Sequence, residues 1–286
     1  GMTATTDAAP LEAPGSIERR YYGAMAAPFA VDAIANTAYA FINRTPEILL
    51  HWLVLAGVLL IAGVGVGAWW LIRPVMRFVA GEAAFEQVEP KLVRLPRNSA
   101  IVVAICSAPL LALRAFSQYI GFSFGAMLAP PALPDAIATV VVGTLFYVVL
   151  TYFVVNAYLD RLYEHLFQTR GVNLTIFDGR FHNKVTLAVA FLSLAGMTML
   201  AADIASYSGA RLLREAGSDI TLTLTGAAIV YYWFSRALTR PIARLDHGMR
   251  RIAADDYSVR LPVTSDDELG HAASRFNQMV EGLAER

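Results

Sequence analysis

Five runs of about twenty mostly apolar residues, at 49–72, 98–120, 134–157, 185–207 and 219–238, leave this chain few folds to choose from. A bilayer core about 30 Å thick is crossed by a helix of about 20 apolar residues. Inside lipid every backbone N–H and C=O must be paired within the chain, so runs of this length predict helices. A sixth run, 22–44, carries Asp32 and Asn36 and is also read as spanning, the alternative being an amphipathic helix on the membrane surface. Composition agrees: 56% of the 286 residues are hydrophobic and only 16% charged, where a soluble domain carries about a quarter. The net charge of zero says nothing about partners, because the charges are segregated along the chain.

Lys and Arg in the short loops set the orientation. Arg19, Arg20, Arg73, Arg77, Lys91, Arg94, Arg97, Arg161, Arg170, Arg180 and Lys184 fall on one side, and only Arg44, Arg211 and Arg214 on the other. Six spans then place both termini and the loop 73–97 in the cytoplasm and the loop 121–133 outside. Trp69, Trp70, Tyr231, Tyr232 and Trp233 fall near the inner interface, where such rings concentrate. Residues 1–21 read as a flexible tail rich in small residues, with Gly1 before Met2 taken as a leftover of expression.

From Arg240 the composition changes: residues 240–286 hold seven Arg and eight Asp or Glu. Ile242, Leu245, Met249 and Ile252 are spaced 3, 4 and 3, the seam of a coiled coil. Pro241 sits at its start, where a missing N–H costs little. Pro262 biases Leu261 toward an extended conformation, so "DDYSVRLPVTS" predicts a non-helical connector. A second helix begins near "DDELG", and Leu269, Phe276, Met279 and Leu283 supply another seam. Two short helices with one stripe each cannot bury it alone. Two copies in parallel make a four-helix bundle, so a parallel homodimer is expected.

The stretch "RPIARLDHGMRRIAADDYSVRLPVTSDDELGHAASRFNQMVEGL" resembles a HAMP domain, the relay between membrane sensors and cytoplasmic effectors. The matching positions are Pro241, Arg260-Leu261-Pro262-Val263, Asp267-Glu268-Leu269-Gly270, Phe276-Asn277 and Met279. Asp255-Asp256 stands where the family usually has Gly-Asp, which puts its tight glycine turn in question. The fold class expected is therefore all-α: a six-helix transmembrane domain over 22–238, then a HAMP bundle over 239–286. The resemblance assigns the relay to Pro241, Leu245, Met249, Ile252, Leu261, Val263, Glu268, Gly270, Phe276, Asn277, Met279 and Leu283.

A HAMP relay implies an effector after Arg286. The six-helix-plus-HAMP layout is similar to the input half of bacterial class III adenylate cyclases. The resemblance is carried by the inner loop "IRPVMRFVAGEAAFEQVEPKLVRLPR", by "NAYLDRLYEHL" and by the ending "FNQMVEGLAER". It implies a whole protein that makes cAMP in a bacterial cytoplasmic membrane, while this chain, with no catalytic motif of its own, is expected to be inactive. The runner-up is the input module of a sensor histidine kinase, which also continues from "FNxMxxxL". A transporter, the reading from a different class, lacks a visible repeat between its halves and has little use for a dimeric relay.

Ionisable residues inside a membrane are expensive and invite a functional reading. The topology puts Arg114 and Asp203 at similar depth in the outer leaflet, as an ion pair or as the frame of a pocket for a small or lipidic ligand. Asp32 lies near the middle of the first helix, and His51 and Glu47 near the outer end of the second. The five histidines are scattered and Cys106 stands alone, so no metal site, disulfide or cofactor is expected. Lipids are expected contacts and nucleic acid is not.

Overall fold

The computed structural model describes residues 14–42, 46–116 and 132–285, with side chains at all of these except 14, 36, 39–42 and 46–56. Every described element is a helix: α1 (Pro14–Ile42), α2 (Pro46–Val79), α3 (Phe85–Val93), α4 (Leu95–Phe116), α5 (Leu133–Arg170), α6 (Phe181–Ser206), α7 (Gly209–Ala253) and α8 (Glu268–Ala284). The fold class is therefore all-α, as the apolar runs require. The external loop expected at 121–133 falls almost wholly outside the described residues.

Helix α1 starts earlier than its apolar run. Residues 14–21, read from composition as part of a flexible tail, are helical. Ile17, Tyr21, Ala24 and Met25 recur on one face and are buried. The Tyr21 hydroxyl lies 2.8 Å from Ser99 Oγ on α4, and Tyr158 of α5 donates to the Ile17 carbonyl at 3.2 Å. These long-range bonds fix a segment whose small polar residues looked disordered in isolation.

Helix α5 is the hub and packs against α1, α4, α6 and α7. At 38 residues it is about 57 Å long, well beyond a bilayer core of about 30 Å. It therefore projects from the apolar slab and carries Asp160, Glu164 and Arg170 with it. It stops at Gly171, whose φ of 64° places it in the left-handed region, where glycine has no Cβ penalty.

Four described helical segments are long and apolar enough to cross a membrane: Gly57–Val79, Leu95–Phe116, Leu133–Arg170 and Phe181–Ser206. Only 22% to 39% of their apolar windows is buried by protein, and many of the remaining apolar side chains are exposed. Ile61, Trp70, Ile105 and Met197 are among these exposed residues, the pattern of a membrane protein. The six spans expected are thus four by length and composition. Helix α7 falls short through Asp219, Thr221, Thr223, Thr225, Ser235 and Arg236, while the apolar run of α1, which carries Asp32, is only partly covered by the described side chains. Both still pack on the bundle, α1 on α2 and α5, α7 on α5 and α6.

Candidate functional site

The segment below the membrane bundle is built from the end of α7, the connector and α8. Helix α7 ends in a Schellman motif, in which Asp256 N–H bonds the Arg251 carbonyl and Asp255 N–H the Ile252 carbonyl. Asp255 takes a φ of 62° and so fills the glycine position with a non-glycine residue. Asp and Asn tolerate this region better than other side chains. Asp256 secures the turn by pairing with Arg251 and by accepting from Ser258 N–H at 3.1 Å and Ser258 Oγ at 2.6 Å.

The connector is extended and clamped. Asn277 on α8 accepts from Leu261 N–H and donates to the Leu261 carbonyl, both at 2.8 Å, replacing the strand partner that an extended backbone lacks. Val263 N–H donates to Asn173 Oδ1 at 3.0 Å. Val259, Leu261, Val263, Ala273, Phe276 and Val280 are buried in one core with the membrane helices, and Leu245 and Ile252 pack against it. Sequence reasoning placed Met249, Met279 and Leu283 in the same seam. In a single copy they are exposed, together with Ile242, while Ala273 and Val280 take the inward positions on α8. The two stripes expected to meet only across a dimer are in part consumed within one chain.

Helix α8 starts at Asp267, whose side chain accepts from Leu269 N–H at 3.1 Å, a normal N-cap. Glu268 reaches away from the helix and accepts from Phe181 N–H at 2.6 Å. Gly270 is required by close approach, because a Cβ there would lie 1.8 Å from the Ser265 carbonyl oxygen. Pro241 lies inside the continuous α7 without breaking it.

Two ion-pair networks wire this segment to the bundle. Arg244 on α7 holds Asp160 on α5 at 2.7 Å and Glu164 at 2.8 Å, Arg240 reaches Asp160 at 3.5 Å, and the connector's Thr264 donates to Asp160 at 2.6 Å. Burial works against the Arg244 cation, but Asp160 and Glu164 outweigh it and hold its pKa above the ordinary value. On the other flank Lys184, near the start of α6, contacts Asp267 at 2.7 Å and Asp266 at 3.3 Å. Lys184 and Asp267 are 5% and 3% exposed, so this pair is desolvated and breaking it leaves a buried charge. Burial would raise the Asp267 pKa, yet Lys184, Ser265 and the Leu269 N–H together hold it below the usual carboxylate value. Outside this segment, Glu89 of α3 is buried and ties that helix to the α5–α6 connection, accepting from Thr175 Oγ1 and from the Ile176 N–H at 2.9 Å.

None of Asp160, Lys184, Glu89, Asn173 or Thr264 was a sequence candidate. Their partners lie 80 to 104 residues away for Lys184 and Asp160, beyond any helical period. The available signal was the placement of Asp160 and Glu164 four apart, just below an apolar run.

The intramembrane candidates separate into two groups. Asp32 of α1 hydrogen-bonds Tyr147 of α5, and Arg114 of α4 is close enough to act on the same phenol. Asp203 is elsewhere, on the last turn of α6, fully buried and with neither carboxylate oxygen bonded. The ion pair expected between Arg114 and Asp203 is therefore not formed. His51 and Glu47 lie on α2 with side chains outside the described residues. Asp203 faces two residues that the sequence reading passed over: one carboxylate oxygen each of Asp135, Asp203 and Asp219 lie within 4.8 Å of one another.

Comparison with known proteins bears on the segment below the membrane. The HAMP domain family matches residues 233–285. This segment is a HAMP domain. Over 64 residues the chain is 38% identical to the signal transduction histidine-protein kinase BaeS of Escherichia coli K12, covering 22% of this chain and 14% of that one. Over 87 residues it is 26% identical to the sensor protein SrrB of Staphylococcus aureus NCTC 8325, covering 28% and 15%. The chain thus spans about one seventh of the length of these relatives. No solved structure matches.

The adenylate cyclase expected from the sequence is corrected by these matches, which fall on sensor kinases. The reason lies in the ending "FNQMVEGL". Phe276 fills the HAMP core and Asn277 clamps its connector, so the motif reports HAMP packing and does not by itself single out a cyclase. The cyclase resemblance of the inner loop finds no match to support it. Residues 85–93 of that loop form α3, anchored through Glu89, a structural role that fits any effector.

Proposed function

We propose that this chain is the membrane input module of a sensor histidine kinase, with the HAMP domain passing its state to a kinase region of the whole protein. The observation that carries this reading is the HAMP segment shared with BaeS, joined to the membrane helices through Arg244 and Asp160. In this reading α1 and α7 complete six spans of a bacterial cytoplasmic membrane, and both termini are cytoplasmic. Two copies pair in parallel along α7 and α8. Ile242, Met249, Met279 and Leu283, between 39% and 59% exposed, supply the apolar stripe that the second copy covers. The signal enters through the membrane helices as a small or lipidic ligand or a membrane state, and the bundle answers by switching between two packings of similar energy.

The test is phosphorylation of the whole protein in membranes. Incubation with labelled ATP should give an acid-labile, base-stable phosphohistidine, and Arg244→Leu should alter its level while the protein remains in the membrane. A whole protein that forms cAMP or a cyclic dinucleotide and no phosphohistidine refutes the reading. Cysteines at Met279 or Leu283 should form disulfides between copies; a monomer without crosslinks refutes the dimer.

A further inference from the structure

The ends of three helices bring three carboxylates together. Asp135 lies in the first turn of α5, Asp203 in the last turn of α6 and Asp219 in the third turn of α7. One oxygen from each lies within 4.8 Å of the other two. Asp203 has 0% exposure and two carboxylate oxygens without a partner. It also sits at a helix C-terminus, whose partial negative charge opposes an anion. A buried carboxylate in that position is kept only if something cationic, or a proton, shares the space. Asp135 accepts from the Tyr207 hydroxyl at 2.7 Å through one oxygen, which orients the carboxylate. The Ser206 hydroxyl, one turn after Asp203, is buried and also unbonded.

We propose that Asp135, Asp203 and Asp219 form a binding site for a divalent cation of the calcium type, fastening the ends of α5 and α6 to α7. The donor set is oxygen alone and carries three negative charges, which selects a hard divalent ion over zinc or copper. Calcium–oxygen bonds are about 2.3–2.6 Å, so two oxygens on one ion lie at most about 5 Å apart. The observed spread fits that limit. The three residues are 68 and 16 positions apart in sequence, which is why no ligand spacing announced them. The ion removes the repulsion among the carboxylates and ties α7, which continues into the HAMP domain, to its neighbours. Control of the relay by the ion rests on the function proposed above; binding of the ion does not.

The experiment uses the purified chain in detergent micelles after treatment with a chelator. Mn2+ binding is followed by electron paramagnetic resonance, with Ca2+ as competitor. The expected result is saturable binding of one Mn2+ per chain, displaced by Ca2+. Asp203→Asn and Asp219→Asn should each weaken it at least about tenfold, and Glu82→Gln, on a distant exposed loop, should leave it unchanged. Ca2+ should raise the melting temperature of the unmodified chain and not that of Asp203→Asn. Absence of saturable binding in the unmodified chain overturns the site, as does binding that survives both substitutions. Stabilisation by falling pH with no response to either ion would show shared protons and overturn it equally. Any of these failures leaves the phosphohistidine test untouched.

Discussion

Gly270→Ala offers a clean measure of how α8 is held to the HAMP connector. The added Cβ would meet the Ser265 carbonyl oxygen at 1.8 Å and its carbon at 2.7 Å. A carbon–oxygen contact is comfortable near 3.3 Å, so the two backbones must separate by about 1.5 Å. The obstacle is main chain, and no side-chain rotation relieves it. Overpacking of this kind costs about 3 kcal/mol, and displacement of the adjacent Asp267 cap adds to it. Amide exchange in 259–280, read by mass spectrometry on the chain in micelles, should accelerate about a hundredfold or more. The matched control is Gly282→Ala in the same helix, where nothing lies within 4 Å of the new Cβ. That change should slow exchange in α8, since alanine is favoured over glycine by about 1 kcal/mol in a helix. Equal exchange in the two variants, or an unaffected Gly270→Ala, would refute the close approach of α8 to the connector.

Lys184→Met should destabilise the chain by about 3 kcal/mol, because Asp267 is left charged and buried; a shift of the unfolding midpoint worth under about 1 kcal/mol would contradict the burial of that pair. Asp255→Gly should stabilise by roughly 0.5 kcal/mol, the relief at a positive φ exceeding the loss of the exposed Tyr257 hydrogen bond at 3.0 Å. A lower melting temperature would show that the carboxylate is needed there. Asp267 titrates below its ordinary value, so its contribution is complete above about pH 3.9 and is lost as pH falls through the lower, folded value. Exchange in α8 should therefore stay constant from pH 7 to 5 after correction for intrinsic rates. The loss should come only in strong acid, and an onset near neutrality would contradict the assignment.

The parts legible in sequence were those written in local periods. The apolar runs gave the helices, Pro262 gave the extended connector, and the DELG and Phe-Asn positions gave the relay. Contacts between distant segments were not legible. Asp160 and Arg244 lie 84 residues apart, and nothing in either neighbourhood selects the other. Arg114 and Asp203 were expected at one depth, which was all that topology supplied, but Arg114 lies near Tyr147 and Asp203 beside Asp135 and Asp219. On α8 the residues that pack within one chain, Ala273 and Val280, were not in the stripe read from the sequence, whose Met279 and Leu283 are exposed in a single copy. Packing chose the small and β-branched residues because α7 and α8 approach closely there, with Gly248 against Phe276.

Helices α5 and α7 carry a matched scale. Asp135 and Asp160 are 25 residues apart on α5, and Asp219 and Arg244 are 25 apart on α7. At 1.5 Å per residue both intervals are about 37 Å, and 25 steps of 100° return to within about 20° of the starting face. The two helices run in the same direction and touch through rungs of opposite character: carboxylates facing one another at one end, a carboxylate and a guanidinium at the other. Sliding α7 by one turn of about 5.4 Å would take both rungs out of register together. Rolling α7 about its long axis would turn both by the same angle. A single inserted residue between 219 and 244 would rotate one rung by about 100° against the other, so the two rungs stay in register only while that interval keeps its length.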